Sequence, residues 1–584
     1  MKIVLVFSDK VAFESDTIYL VTRKLSDIPE SAQRVVVPFD ADSIELRDEA
    51  DKFRDFYADA LGTGIISDAF VANFHNFYFH IFRNIYKWVI HLEALLDIYP
   101  NVQVVITDTV DGFYMPLYEA EGEINKLLFY KNYDFIPELI TQFLKQKGIN
   151  YTILKRHSRF KRASRIFLRR YFVLITKPFF YSIQLLFQKR ESEKLQTQAK
   201  TLLLSRSIVH THLLYPLTKV STDFVTLFSE GFFTRGINSR FFKDRPAANY
   251  SLISFYSMYR IWKRFFQVVL SLTTDIRRSK KSAKLAGIEL PMRSILIEML
   301  ISYYDGLLYG DAILDFMNKK GPYEKIITAE TFTQYPYVIK KVLNESGTVK
   351  LLQLANGVLN ILPNVKFVFA DRLAITSDSV LRDYQILHPN EKDRMVYWGD
   401  TKEIAGSVLK KNAFRKLIYF SQPYEYQSQE RILNFLHKYA NINNIEVGVK
   451  LHPRDQQTRN LANQFKFKII ETTCLFSEYI QDYDLAISRT SSILKDIILS
   501  GVPFIIALFS DIEKSAYNEF IKREYFLKYK DIYAFEEFEL ENLLMSPDRL
   551  CNACNHFLQH YKINNVNEAD VIFFADSLSS FSAQ

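Results

Sequence analysis

Short apolar runs alternate along most of this chain with longer stretches in which apolar residues recur every third or fourth position. Apolar runs occupy 3–7, 17–21, 34–39, 102–108 and 151–154, and helical periodicity occupies 45–61, 68–98 and 135–146. Runs of about four to eight apolar residues without alternation read as strands buried on both faces. Strands separated by helices imply a parallel sheet covered on both sides. The pattern returns further on, with strands expected at 200–205, 325–330 and 350–357 and a helix at 291–317. Beyond residue 366, strands are expected at 417–420, 446–449, 467–470, 485–488 and 504–507, again with helices between them. The chain therefore reads as α/β, with two doubly wound domains, 1–365 and 366–584. A helical segment, 155–290, is expected to interrupt the first.

Composition narrows the picture. At 584 residues the chain exceeds one hydrophobic core, and 48% hydrophobic with 24% charged residues excludes a disordered protein. Three cysteines, Cys474, Cys551 and Cys554, give no disulfide framework and suit a reducing cytoplasm. The apolar start of the chain is too short for a signal peptide, and no uncharged apolar run reaches the length of about eighteen that a spanning helix needs. Cys551, Cys554, His556 and His560 share one expected helix, whereas tetrahedral zinc sites gather ligands from separate elements. They read as a face packed on the core, and no metal or cofactor is assigned.

Charge matters here by its distribution. Between Lys155 and Arg170 there are eight Lys/Arg residues and no acid, followed by an aromatic run over 171–187 that Lys177-Pro178 interrupts. A spanning helix would bear the desolvation of Lys177 and the kink at Pro178, and a helix lying in the plane of a membrane surface avoids both. The theme repeats over 255–284, where Tyr256, Tyr259, Trp262, Phe265 and Phe266 stand beside Arg260, Lys263 and Arg264. The stretches 155–190 and 255–284 are read first as contacts with an anionic membrane surface. A solvated helical face ranks second. Nucleic acid ranks last, because no RNA-binding motif accompanies the basic and aromatic residues.

Candidate chemistry concentrates between residues 420 and 503. Phe420-Ser421-Gln422-Pro423-Tyr424 and Lys450-Leu451-His452-Pro453-Arg454 each follow an expected strand. Ser488-Arg489-Thr490-Ser491-Ser492 follows another and opens a helix that Gly501 and Pro503 close. Ligands of open parallel sheets sit outside the carboxyl ends of the strands, and a helix N-terminus offers amides and a positive dipole end to phosphate. His452, Pro453, Arg454, Thr490, Ser491 and Ser492 thus make a candidate anion site. Each motif also has a plainer reading, His-Pro as a turn and Ser-Ser as a cap, and His388-Pro389 shows the dipeptide in a polar connection. Asp108 and Asp111, beyond the strand at 102–108, read as turn-capping residues.

The Lys-x-His-Pro-Arg segment, roughly thirty to forty residues before the Ser-Ser helix start, resembles the His-Pro and Ser-Ser/Thr motifs of bacterial sialyltransferases. It is also similar to polysialyltransferases, some Kdo transferases and the CDP-glycerol-dependent glycerophosphotransferases of teichoic-acid synthesis. The resemblance covers about residues 320–510. It implies a GT-B fold of two Rossmann-like domains, a CMP-activated donor and a glycan or lipid-linked glycan acceptor. It also implies a place on the inner face of a bacterial cytoplasmic membrane, in surface-polysaccharide assembly. In such enzymes an acidic-acidic-Gly motif supplies the general base, but Tyr304-Asp305-Gly306 has one acid and falls mid-helix, and Asn356-Gly357 stands where relatives carry His-Gly or Asp-Gly. Glu330, ending an expected strand, remains as the candidate base and equally suits the cap of the next helix. Glycerophosphate transfer and a catalytically inert, membrane-bound assembly protein are the alternatives.

Overall fold

A computed structural model describes most of the chain between Met1 and Tyr561. Outside the described residues lie 7–12, 22–30, 37–43, 78–81, 108–134, 155–158, 188–198, 207–213, 215–216, 218–223, 229–248, 280–281, 291, 330–333, 347–348, 355–368, 376–377, 388, 398–404, 406, 423–425, 453–454, 456, 472–475, 490–492, 511–512, 515–529 and 562–584.

Three parallel sheets follow one another among the described residues. The first has the order β3-β2-β1-β4-β5, built from β1 (Lys2–Leu5), β2 (Thr17–Val21), β3 (Arg34–Val36), β4 (Gln103–Ile106) and β5 (Tyr151–Ile153). Helices α1 (Ile44–Leu61), α2 (Ile65–Phe77), α3 (Arg83–Ile98) and α4 (Phe135–Gln146) accompany it, so the periodicity over 68–98 belongs to two helices and not one.

The second sheet runs β14-β13-β12-β11-β6-β7-β8. Its strands are β6 (Thr201–Ser205), β7 (Phe224–Phe228), β8 (Asn249–Ser251), β11 (Lys325–Thr328), β12 (Lys350–Leu354), β13 (Arg372–Ile375) and β14 (Met395–Tyr397), and β9 (Ala283–Leu285) with β10 (Ile288–Leu290) forms a separate antiparallel pair. Two readings change here. The segment 155–290 is not a helical insertion, because β6, β7 and β8 are parallel members of this sheet. And β13 and β14 pair onward from β12, so the second sheet continues past residue 365 to Tyr397.

The third sheet has the order β17-β16-β15-β18-β19-β20. It comprises β15 (Lys416–Phe420), β16 (Glu446–Lys450), β17 (Lys468–Ile470), β18 (Leu485–Ser488), β19 (Phe504–Ala507) and β20 (Tyr533–Ala534). Its central strands are buried on both faces, as their unbroken apolar runs require.

Four further helices lie in the chain between β5 and β12: α5 (Arg159–Phe187), α6 (Met258–Thr273), α7 (Met292–Lys320) and α8 (Tyr335–Ser346). Helices α5, α6 and α8 pack on α7, and α8 packs on β12. Gly306 and Gly310 let α7 approach α8 closely, since a Cβ at Gly310 would come within 2.9 Å of a Val338 methyl. Helix α5 runs through Lys177-Pro178 without ending, and Lys177 turns inward to Asp305 of α7 at 2.7 Å. Arg264 likewise forks onto the Asp311 carboxylate at 2.8 and 2.6 Å, and Arg260 donates to the Asp311 carbonyl at 2.7 Å. Arg260 and Arg264 therefore face α7, a correction to their expected place on an outer basic face. Among the described side chains, α5 and α6 present outward a largely apolar surface, with Lys263 of α6 exposed beside it. Phe172, Ile175, Phe179, Ile183 and Leu186 are 51–74% exposed, and Tyr259, Phe266 and Leu270 are 61–72% exposed. The first five recur at three- and four-residue spacing and so share one face of α5. Phe179 meets Trp262 of α6 edge-on at 5.0 Å, joining the two exposed faces. Among the described residues no helix is long and apolar enough to cross a membrane.

Candidate functional site

In the third sheet, β15, β16 and β17 run to one side and β18, β19 and β20 to the other. The order therefore reverses between β15 and β18, and a crevice between two oppositely directed connections opens beyond their carboxyl ends. Ser421 and Gln422 follow β15, His452 follows β16 by two residues, and Arg489 follows β18 directly.

Hydrogen bonds tie these ends together. The Ser421 hydroxyl accepts the His452 amide at 2.9 Å, and the Ser421 amide donates to the Lys450 carbonyl at 3.0 Å. The end of β15 thereby fixes where the His452 turn begins. Helix α9 (Tyr426–Asn443) places Gln429 beneath, where its carbonyl oxygen accepts the Gln422 amide at 2.8 Å. The Gln429 amide group donates to the Asp455 carboxylate at 3.3 Å, and the Asp455 amide donates to the His452 carbonyl at 2.9 Å. The other Asp455 oxygen accepts the Thr458 amide at 3.0 Å. Ser421, Gln422, Gln429 and Asp455 are all buried. Ser421 and Gln422 thus reach the site as struts that hold its backbone.

Arg489 is wholly buried and pairs with Glu513, its Nε and Nη2 lying 2.7 and 2.6 Å from one carboxylate oxygen. The second Glu513 oxygen accepts the Ser428 hydroxyl of α9 at 3.0 Å. Burial pushes the Tyr419 phenol of β15 well above its ordinary range, with Arg489 working against it and Glu513 and Asp455 adding to it. One buried charged node thus lies under both strands that flank the crevice. Helix α10 (Ile493–Ser500) begins just beyond, and Gly501 closes it in a left-handed conformation, φ +72°, as the sequence implies.

The structure brings His452, Ser421 and Gln422 together. Pro453, Arg454, Thr490, Ser491, Ser492 and Glu330 lie outside the described residues, as do Asp108, Asp111, Asn356 and His388. Asp305 sits mid-helix in α7, bound by Lys177 and by the Tyr181 hydroxyl at 3.0 Å. Gln429, Asp455 and Glu513 escape a reading of the sequence, because each acts on a partner in another element. Arg489 was visible only as a letter inside the Ser-Arg-Thr-Ser-Ser segment. Helix α11 (Pro547–Tyr561) turns Cys551 and Cys554 into the core. The Cys554 thiol donates to the Phe504 carbonyl at 3.3 Å, and burial pushes its pKa up to about 12. Among the described residues no group of three or more side chains could hold a metal ion.

No family model matches the sequence, nor does any curated protein. Among solved structures the chain is similar to the UDP-GlcNAc 2-epimerase of Methanocaldococcus jannaschii, at 11% identity over 65% of this chain and 99% of that one, with a TM-score of 0.37. It is similar to the calicheamicin glycosyltransferase at 9% identity over 66% and 100% of the two chains, with a TM-score of 0.40. It is also similar to the wall teichoic acid polymerase TagF at 11% identity over 73% and 98%, with a TM-score of 0.38. Likeness at this level decides nothing about activity, and the three wound sheets stand without it.

Proposed function

We propose that the chain is a GT-B-type transferase of bacterial surface-polysaccharide assembly, moving a sialic-acid-like or Kdo residue from a CMP-activated donor to a glycan or lipid-linked glycan. The observation that carries this reading is the hydrogen-bonded meeting of His452 with the β15 end at the switch point of the third sheet, where β15 and β18 lie paired. When the sugar is transferred, the anomeric C–O bond to CMP breaks and CMP leaves, so negative charge grows on its phosphate oxygens in the transition state and is met best by donors already in place. His452 and Arg454 are assigned that role, together with the amides and hydroxyls of Thr490, Ser491 and Ser492 ahead of α10. Ser421, Gln422 and Pro453 hold the loops against the nucleotide. Glu330, following β11, is assigned the acceptor hydroxyl's proton. These residues supply donors and a base, and the reading calls for no cofactor and no nucleic acid.

We propose further that the protein lies peripherally on the inner surface of the cytoplasmic membrane, a reading that the exposed apolar faces of α5 and α6 support. Apolar side chains enter the lipid boundary, and the basic run 155–170 meets anionic headgroups. Transfer of glycerol phosphate from CDP-glycerol is the second reading, because the same phosphate site serves the CMP that leaves when the pyrophosphate bond of CDP-glycerol breaks. Product analysis with CMP-activated acid sugars and CDP-glycerol separates the two. On the active donor, His452→Ala is expected to lower kcat on the order of a hundredfold. Turnover with neither donor class removes both readings and leaves an inert assembly protein.

A further inference from the structure

The second sheet has a switch point of its own, which the donor site does not use. Strands β6, β7 and β8 run to one side and β11, β12, β13 and β14 to the other, while β6 and β11 lie paired in parallel at the reversal. Directly beyond β6, the Arg206 guanidinium lies over the ring of Tyr335 at 3.4 Å, and Tyr335 opens α8 after β11. This stacked pair therefore bridges the two strand ends where topology places a ligand crevice. Other elements converge on it. Tyr309 of α7 meets the Tyr335 ring edge-on at 4.7 Å. Tyr256, beyond the end of β8, meets Tyr181 of α5 at 5.8 Å, and the Tyr181 hydroxyl donates to Asp305 at 3.0 Å. Arg206, Tyr335, Tyr256 and Tyr181 are each half-buried.

We propose that this cluster is a sugar subsite that receives a ring of the acceptor glycan. A pyranose has apolar C–H faces and a rim of hydroxyls. Tyrosine faces fit the first, while a planar guanidinium, a carboxylate and phenolic hydroxyls fit the second. Tyr256 and Tyr181 stay neutral across the physiological range. Burial first, then the neighbouring Tyr335, Asp305 and Tyr309, raises the Tyr256 phenol, with Arg206 opposing. Burial and Asp305 likewise raise Tyr181. The site rests on the transferase reading only for calling the bound sugar an acceptor. Helix α5 contributes Tyr181 to this cluster with one face and Phe179 and Ile183 to the exposed apolar surface with another, so a lipid-linked glycan could reach the cluster from the membrane side.

The test is a glycan array of neutral hexose oligomers and of oligomers carrying sialic acid, Kdo or hexuronic acid, read beside CMP, CDP and UDP binding. The wild-type chain should retain at least one glycan. Tyr335→Ala and Arg206→Lys should weaken it by about tenfold or more, Tyr335→Phe should not, and nucleotide affinity should stay the same in all three variants. A circular-dichroism melting curve unchanged from wild type certifies that the variants fold, because the core around Tyr335 is separate from the one that carries the nucleotide site. Glycan retention unaffected by Tyr335→Ala, or nucleotide binding with no glycan retained, overturns the subsite. Tyr335-dependent glycan retention without any nucleotide binding upholds the subsite and overturns the transferase reading instead.

Discussion

The Ser421 hydroxyl controls the His452 turn through a single acceptor. Ser421→Ala removes the acceptor of the half-buried His452 amide, at a cost of about 1 kcal/mol, the net worth of an ordinary hydrogen bond. Urea denaturation should show that loss, and nucleotide affinity should fall with it. Wild-type values for both would mean that the turn holds itself. Glu513 makes a sharper case. Glu513→Ala leaves the buried Arg489 guanidinium without its carboxylate, and breaking such a pair costs about 3–5 kcal/mol. An apolar double replacement, Arg489→Met with Glu513→Leu, should recover most of the stability while leaving nucleotide binding impaired, because the β18 loop is no longer held by charge. At this scale the sequence was partly legible. Its short motifs placed His452 and Ser421 at strand ends, since apolar runs reveal where strands stop. It could not reveal that Arg489 turns inward, because its partner lies in another element and no local pattern marks the pairing.

Elements were read best where burial is complete. Every strand of the third sheet from β15 to β19 stands within about two residues of its apolar run, because a strand covered on both faces has no polar face to interrupt the signal. β7 and β8 were missed. They are short and lie between aromatic stretches whose composition suggested helices throughout. The faces of α6 were misassigned for another reason: periodicity separates two faces of a helix but does not say which meets a neighbour, and the acids that claim Arg260 and Arg264 lie on α7. One element-level prediction concerns the entrance to β15. Burial pushes the Asp484 carboxyl up, but Lys411 at 2.8 Å and the amides of Arg415 and Lys416 at 2.9 Å outweigh it, so its pKa is lowered from 3.8. A carboxylate with a lowered folded pKa stabilises at pH above its unfolded value and loses that contribution as pH falls through the folded one. Wild type should therefore melt higher than Asp484→Asn at neutral pH, with the gap closing on acidification below pH 3.8. A gap that stays constant with pH would mean that the ion pair contributes nothing.

Across the whole molecule, the proposed membrane contact rests on the exposed apolar side chains of α5 and α6. Phe179→Glu with Ile183→Glu places charge on the α5 face without touching Lys177 or Tyr181. It should abolish co-sedimentation with vesicles of phosphatidylglycerol and phosphatidylethanolamine. Replacing Arg156, Arg159, Lys161 and Arg162 by Glu should do the same, and binding by the unaltered chain should weaken as salt rises. Sedimentation unchanged by either set would remove the membrane from the account. The central claim, a nucleotide site at the third sheet's switch point, is tested most directly by equilibrium titration with CMP, CDP and UDP. The wild-type chain should bind a cytidine nucleotide in preference to UDP, and His452→Ala should weaken that binding by about tenfold or more without lowering the melting temperature, while His388→Ala changes neither. Binding of none of the three nucleotides, or equal affinity in the wild type and the His452→Ala variant, would contradict it.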